Sequence, residues 1–222
     1  ERTVAAMVAT PSNPTGTLAD RALLSELLDF TQGRGGALIV DEIYQGLVYE
    51  GENGTAAALS EDLFVINSFS KFFGMTGWRL GWVVAPRDCV RELDKLAQNL
   101  FLAASTPAQH AALAAFTPAC MEILEARREA FRARRDFLLP ALRELGLKVP
   151  ATPRGAFYLY GDSTAFGEDS FALAERCLEV AGVAITPGLD FGDHLARSHV
   201  RFAYTRDLPV LEQAVARLRT FL

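Results

Sequence analysis

A lysine, two hydroxyl groups and an arginine occur within one short segment. Ser68, Ser70, Lys71 and Arg79 follow residues 64–67, which have the composition of a buried strand. Hydroxyl groups and a guanidinium fork are suited to binding a phosphate monoester. The lysine is then either a counter-charge for the phosphate or, among neighbouring phenylalanines, a desolvated amine that can attack a carbonyl carbon.

A carboxylate ends a second apolar run. Asp41 directly follows residues 37–40, and the carboxyl end of a buried strand is where open α/β sheets bind ligands. Two interpretations stay open for this residue by itself: a functional carboxylate, or a turn residue that caps the next helix. The Walker B strand of a P-loop nucleotidase is excluded, because the sequence contains no G-x-x-x-x-G-K-[ST] phosphate loop.

Short apolar strands alternate with amphipathic helices in the first half of the chain. This alternation is typical of an α/β protein with a mostly parallel sheet. Asp20 lies near the start of the first helix, as a capping residue would. The predicted strands lie near 4–9, 37–41, 63–67 and 80–85, and the predicted helices at 18–30, 87–101 and 107–116.

A long helix at 118–145, with a kink expected at Pro140, is predicted to connect this part to a smaller α+β part. We therefore expect two domains, at 1–120 and 121–222. The chain begins with Glu1 and enters a strand within three residues, so we expect the sheet to have strands that precede this sequence. The elements expected after the long helix are strands at 157–160, 183–186 and 199–204 and helices at 169–181 and 208–221.

The composition indicates a globular protein. The chain has 222 residues, half of them apolar and 22% charged, with a formal net charge of −5. This charge gives no basic footprint for nucleic acid. An arginine cluster in the long helix is expected to be a solvated face, and it comprises Arg127, Arg128, Arg132, Arg134 and Arg135.

Metal, disulfide and membrane chemistry are not predicted. The three cysteines are far apart and odd in number, so we expect reduced thiols. The three histidines show no metal-ligand spacing, and no metal site is predicted. No apolar run reaches the length of a membrane span. A cytoplasmic protein without nucleic-acid or membrane partners is the expectation.

Several further motifs complete a pattern that extends over nearly the whole chain. Asn13-Pro14-Thr15-Gly16 precedes Asp41-Glu42-Ile43-Tyr44, the lysine segment follows, and the motifs at 153–158 and 199–202 come last. In this order and spacing the chain resembles the class I/II aminotransferases, the aspartate aminotransferase superfamily of pyridoxal-phosphate (PLP) fold type I. The resemblance implies the C-terminal part of a large α/β PLP-binding domain, followed by a smaller C-terminal α+β domain.

The resemblance implies catalytic roles for three residues. Lys71 would form a Schiff base with PLP and later move the proton between the substrate Cα and the cofactor. Asp41 would pair with the protonated pyridine nitrogen. Tyr44, together with Asn13, would hydrogen-bond the phenolic oxygen of the cofactor.

The remaining roles implied by the resemblance concern binding. Ser68, Ser70 and Arg79 would hold the cofactor phosphate. Arg201 would bind the α-carboxylate of the substrate as a bidentate fork, with Asn13 beside it. Apart from the resemblance, Tyr158 and Tyr160 are expected in the core or the pocket wall and not as acid/base groups.

The function implied is the transfer of an amino group between an α-amino acid and a 2-oxo acid, in a homodimer. The donor stays open among aspartate, alanine, aromatic and aliphatic amino acids. Two alternatives also stay open: the aminotransferase-like sensor half of a transcription regulator, and a PLP-dependent lyase or decarboxylase. Family members carry a phosphate-binding turn and a stacking aromatic residue upstream of the first motif. The 222-residue chain by itself is therefore expected to be inactive.

Overall fold

The computed structural model describes residues 2–167 and 169–222. The chain divides into two compact units, here called unit 1 and unit 2. Unit 1 comprises the residues up to Ser12 and Leu18–Arg128, and unit 2 comprises Asn13–Thr17 and Glu129–Leu222. The assignment of 1–120 and 121–222 to a large and a small domain of a longer protein stays a prediction.

Unit 1 contains a four-stranded sheet whose strands lie in chain order. Its strands are β1 (Ala5–Ala9), β2 (Ala37–Asp41), β3 (Phe64–Ser68) and β4 (Gly81–Val84). The first three strands are parallel, whereas β4 runs antiparallel to β3. All four strands were predicted within one or two residues, but the reversal at β4 makes the sheet mixed. Sequence pattern marks a strand without giving its direction.

Helix α1 (Arg21–Gln32) packs against this sheet. Its N-cap is Asp20, whose side chain accepts a hydrogen bond from Leu23 N at 2.8 Å. The buried leucines of α1 form one apolar core with alternate residues of β2 and β3. Helices α2 (Arg87–Leu100) and α3 (Thr106–Ala115) follow as predicted.

The long predicted helix is α4 (Pro118–Glu144), and Pro140 lies inside it. The prediction that its arginine cluster forms a solvated face was wrong for Arg135, which is only 3% exposed. Its guanidinium donates to Pro153 O at 2.7 Å and to Asp136 Oδ1 at 2.8 Å. Helical spacing predicts which residues share a face, but not which loop covers part of that face.

Unit 2 contains a three-stranded antiparallel sheet in the order β5-β7-β6. The strand predicted at 183–186 is shorter and later than expected. Val183 N instead donates to Cys177 O at 2.9 Å and so completes the end of a helix. The elements of this unit are β5 (Tyr158–Asp162), α5 (Ser170–Glu179), β6 (Thr186–Pro187), β7 (His199–Ala203) and α6 (Leu208–Phe221).

The central strand β7 separates two chemically different faces. Val200 and Phe202 are buried on one face together with Leu159 of β5. Arg201 alternates with them and therefore projects from the other face.

Within the described ranges, no helix combines the length and the apolar character that crossing a membrane needs. The three cysteines are free thiols, as predicted.

Candidate active site

The parallel strands of unit 1 bring several polar groups to one edge of the sheet. Ala9 pairs with Asp41 and Asp41 pairs with Ile66, so β1, β2 and β3 end side by side. Asp41 is the last residue of β2, and Ser68 is the last residue of β3. This edge is the position where open α/β sheets bind ligands.

Asp41 is half-buried, and its Oδ1 accepts a hydrogen bond from Ile43 N at 3.0 Å. This bond closes an Asx turn, so the residue does have a turn role at the end of the strand. The turn also fixes the direction of the carboxylate at the sheet edge. A turn role and a ligand-binding role are therefore compatible for Asp41.

The adjacent carboxylate, Glu42, is a structural group that the sequence did not distinguish from Asp41. It is 2% exposed and accepts hydrogen bonds from Ala56 N at 2.6 Å and from the Thr55 hydroxyl at 2.9 Å. Burial raises the pKa of Glu42, the two hydrogen bonds oppose this rise, and the nearby charge of Asp41 adds to it. Glu42 anchors the loop after β2 to the turn at residues 55–56.

Lys71 lies close to Tyr44 at this edge. The Lys71 Nζ is 5.7 Å from the centroid of the Tyr44 ring, and the tyrosine is buried. The loop that carries Tyr44 packs tightly against the lysine segment. A Cβ on Gly46 would lie 2.3 Å from Phe72 Cγ, so only glycine allows this close approach.

The two serines of the lysine segment are hydrogen-bonded to each other. Ser68 Oγ lies 3.0 Å from Ser70 Oγ and also donates to Leu80 O at 3.1 Å. Arg79 precedes Leu80 in a left-handed backbone conformation and donates to Thr76 O at 3.0 Å. The pairing of β3 with β4 thus brings the serines and Arg79 to the same end of the sheet.

Unit 2 contains the second group of predicted site residues. Arg201 Nη1 donates to Asn13 Oδ1 at 2.8 Å, and Nη2 donates to Thr186 Oγ1 at 3.2 Å. The Arg201 Cζ lies 4.2 Å from the ring centroid of Tyr158 and 4.7 Å from that of Phe191. Its Nε is buried and has no hydrogen-bond partner among the described residues.

Asn13 reaches Arg201 because its segment is bound to a distant turn of unit 2. Gly16 O accepts hydrogen bonds from Arg154 N at 3.0 Å and Gly155 N at 3.1 Å. Gly16 has a φ of +66°, and a Cβ on it would lie 2.5 Å from Pro153 Cβ. The glycine of the first motif is therefore required by both backbone conformation and packing.

The donor set of unit 1 fits the cofactor that the resemblance implies. One sheet edge carries an amine at Lys71 and a carboxylate at Asp41 for a cationic ring nitrogen. Hydroxyl and guanidinium donors for a phosphate lie at the same edge. A separate cavity of about 310 Å³ in unit 1 is lined by mostly apolar groups that include Phe73 and Met75, and no predicted site residue lines it.

Four residues make contacts described above that were not predicted from the sequence: Thr186, Phe191, Glu42 and Arg135. Only the cross-strand register places Thr186 opposite Arg201, and register cannot be read from these short strands. In the described part of the chain, no three His, Cys, Asp or Glu side chains are placed to share a metal ion.

The chain is similar to aminotransferases along its whole length. The sequence pattern described as "Aminotransferase class I and II" matches residues 2–218. The chain belongs to this family. Members of the class I and II aminotransferase family use pyridoxal phosphate.

Individual relatives agree with this assignment. A valine–pyruvate aminotransferase of Mycobacterium tuberculosis is 37% identical over 97% of this chain and 56% of its own length. An aspartate/prephenate aminotransferase of Thermus thermophilus is 38% identical over 100% of this chain and 57% of its own length. An aminotransferase structure from Mycobacterium tuberculosis superposes with a TM-score of 0.94 at 37% identity, over 99% of this chain and 57% of that one. The chain thus spans somewhat more than half the length of these class I and II aminotransferases.

Proposed function

We propose that the protein containing this chain is a PLP-dependent aminotransferase that moves an amino group between an α-amino acid and a 2-oxo acid. The observation that carries the proposal is the environment of Arg201. Its guanidinium is fixed by two hydrogen bonds, yet its buried Nε has no partner among the described residues. A carboxylate ligand would satisfy such a group, because the planar fork of arginine matches carboxylate geometry.

Three residues of unit 1 are proposed to act on the reacting atoms. When bound, PLP supplies an aldehyde that condenses with amines and a ring that withdraws electrons. Lys71 Nζ would hold the cofactor through its aldehyde carbon and, once the incoming amine has displaced it, would move a proton at the substrate Cα. Asp41 would keep the ring nitrogen protonated by its negative charge. Tyr44 donates its hydroxyl to the phenolic oxygen, a role that the resemblance also gives to Asn13.

The other residues are proposed to bind. Ser68 and Ser70 supply hydroxyl donors for the phosphate, and Arg79 supplies the compensating positive charge. Arg201 orients the substrate through its α-carboxylate, and Asn13 Oδ1 holds Nη1 in place for this purpose. Fixing one end of the substrate reduces the freedom of its Cα, which favours proton transfer.

The named relatives favour transamination over a sensor or lyase function. All of those described above are aminotransferases, and they suggest the donors for a first screen: valine, with pyruvate as acceptor, and aspartate. The proposal also includes a homodimer in the cytoplasm, as the resemblance implies. The inactivity of residues 1–222 by themselves stays a prediction, and comparison with the product of the complete gene tests it.

Attachment of the cofactor tests the proposal directly. The protein expressed from its complete gene is incubated with PLP, reduced with borohydride, digested and analysed by mass spectrometry. We expect the pyridoxyl mass on Lys71 and its loss in the Lys71→Ala variant, together with a fall of amino-transfer rate of at least about 10⁴-fold. The matched control Lys95→Ala removes an exposed lysine that pairs with Glu92 and should change neither result. Labelling of Lys95 or Lys148 instead of Lys71 would contradict the assignment.

A further inference from the structure

Arg201 lies in the central strand of the unit 2 sheet and is flanked by polar residues on both sides. In the strand register Arg201 is directly opposite Tyr160 of β5 and Thr186 of β6. Side chains at directly paired positions share one face of a sheet. The bond from Arg201 Nη2 to Thr186 Oγ1 is therefore a cross-strand contact made by the sheet itself.

Two aromatic rings contact the same guanidinium group. Tyr158 approaches from β5, and Phe191 approaches from the short turn at Gly188–Phe191. The Phe191 ring is in turn held edge-on by the Tyr160 ring, at a centroid separation of 6.0 Å. A cation over an aromatic face is stabilised by the ring quadrupole, and the ring also excludes water from the cation.

The guanidinium group has no compensating carboxylate within the described residues. The two hydrogen-bond acceptors that it has are neutral, an amide oxygen and a hydroxyl oxygen. Partial burial of a cation beside neutral acceptors leaves the charge uncompensated. The rings and hydrogen bonds thus hold Arg201 in one position while leaving its positive charge uncompensated.

We propose that Phe191 and Thr186 are positioning residues that fix the Arg201 guanidinium for the carboxylate of the substrate. This inference rests on the proposed function and deepens it. Neither residue needs to touch the reacting atoms: Phe191 acts through its ring contact with Cζ, and Thr186 acts through its bond to Nη2. Loss of either contact leaves Arg201 more rotamers, so more entropy is lost when the carboxylate binds.

The test separates carboxylate recognition from the rest of the reaction. L-valine and 2-methylpropylamine differ only in the carboxylate, and each is mixed with the PLP-loaded protein in single-turnover reactions over a range of concentrations. If another amino acid proves faster in the donor screen, it is paired with the amine that lacks only its carboxylate. The variants are Phe191→Leu and Thr186→Val, with Arg201→Lys as the reference.

We expect Phe191→Leu to lower kcat/KM for the amino acid by about 3- to 30-fold, mainly through KM, because one cation–π contact is lost. Thr186→Val should lower it by about 10-fold, through the lost hydrogen bond. Arg201→Lys should lower it by about 100-fold, since the fork is lost. The amine has no carboxylate for Arg201 to bind, so its rate should fall far less than that of the amino acid in all three variants.

Matched variants distinguish positioning from general damage. Phe191→Tyr keeps the ring and Thr186→Ser keeps the hydroxyl, so both should retain nearly wild-type kcat/KM. Phe171→Leu removes an exposed phenylalanine of α5 in the same unit and should have no effect. If Phe191→Leu fails to fold, as judged by its thermal unfolding, the pair Thr186→Val and Thr186→Ser decides the question.

The outcomes for the two proposals differ. A wild-type protein that is not labelled at Lys71 and reacts with no amino acid would overturn the proposed function. A wild-type protein that reacts, with Arg201→Lys selectively impaired but Phe191→Leu and Thr186→Val unchanged, would overturn only the positioning role. Equal losses for the amino acid and the amine in these two variants would overturn it as well.

Discussion

The two groups of proposed site residues are built in different ways. In unit 1, Asp41, Ser68 and Lys71 lie at or just after the ends of adjacent parallel strands, and each belongs to a short contiguous motif. In unit 2, Arg201 contacts Asn13, which is 188 positions away in the chain. It also contacts a ring from a separate turn.

This difference teaches that one group of proposed site residues can depend on local sequence while the other depends on long-range packing. The unit 1 groups need only that each strand forms and pairs in parallel, because the strand ends then come together. The Arg201 group also needs the Asn13–Thr17 segment to pack on the turn at 153–155. Substitutions that disturb packing should therefore affect the second group more than the first.

After the loss of Lys71, the largest effect is expected at Asp41, where the local motif supplies the chemistry. Asp41→Ala should lower the amino-transfer rate by about 10³-fold or more, because the anion that keeps the ring nitrogen protonated is lost. PLP should stay bound through Lys71 and the phosphate donors. Single-turnover rates and pyridoxyl labelling check the two parts of this prediction.

The control for this substitution is Asp29→Ala, which removes an exposed carboxylate of α1 and should be neutral. Near-normal turnover in Asp41→Ala would mean that the carboxylate serves only the turn with Ile43. In that case Asp41 would have only a structural role, and unit 1 would lack the local catalytic carboxylate with which the Arg201 group is compared.

A glycine pair tests the long-range part of the comparison. Gly16 and Gly35 have nearly the same positive φ, +66° and +69°, but only Gly16 has neighbours within 4 Å of an added Cβ. Gly35→Ala should cost about 1–2 kcal/mol of the free energy of unfolding, from backbone strain. Gly16→Ala should cost about 1–3 kcal/mol more, because its Cβ also overlaps Pro153.

Urea denaturation of both glycine variants measures these costs. Gly16→Ala should also weaken the use of amino acids relative to amines, since it displaces the segment that carries Asn13. Equal unfolding free energies for the two variants would show that the contact between Gly16 and Pro153 carries little energy, and the long-range interpretation of the Arg201 group would fail.

The smallest effect is the pH dependence of stability that comes from Glu42, the carboxylate next to Asp41. The raised pKa of Glu42 means that its proton is held more tightly in the folded than in the unfolded chain. Its contribution to stability is therefore complete below the ordinary carboxyl pKa and is lost as the pH rises through the folded pKa. Glu42→Gln lacks this loss: its Oε1 can accept from Ala56 N, and its amide group can donate to the Thr55 hydroxyl oxygen. Its stability relative to wild type should therefore increase as the pH rises through that window.

Unfolding free energies measured between pH 4 and pH 8 test this sign. Glu42→Ala leaves the Ala56 amide and the Thr55 hydroxyl without their acceptor and should cost about 1–3 kcal/mol. Glu61→Gln alters an exposed carboxylate and should show no comparable pH trend. A relative stability of Glu42→Gln that falls with rising pH would contradict the assigned cause, burial.

The sequence by itself determined the elements of this protein and the residues proposed for chemistry. The four strands of unit 1 and most helices lie within a few residues of their predicted positions, because period and capping are local properties. The apolar runs before Asp41 and before the lysine segment marked both residues as candidates, and the family resemblance gave them their roles. The family resemblance rests on the same contiguous motifs.

Only the tertiary structure decided how polar groups are surrounded. Asp41 and Glu42 are adjacent and chemically alike, yet Glu42 is the one enclosed, because the turn at residues 55–56 covers it. Arg135 is buried and donates to the carbonyl of Pro153. Arg201 contacts Phe191, which lies in a turn that no local pattern connects to it. Burial of a polar side chain depends on which distant segment returns to cover it, and the pattern around the residue does not contain that information.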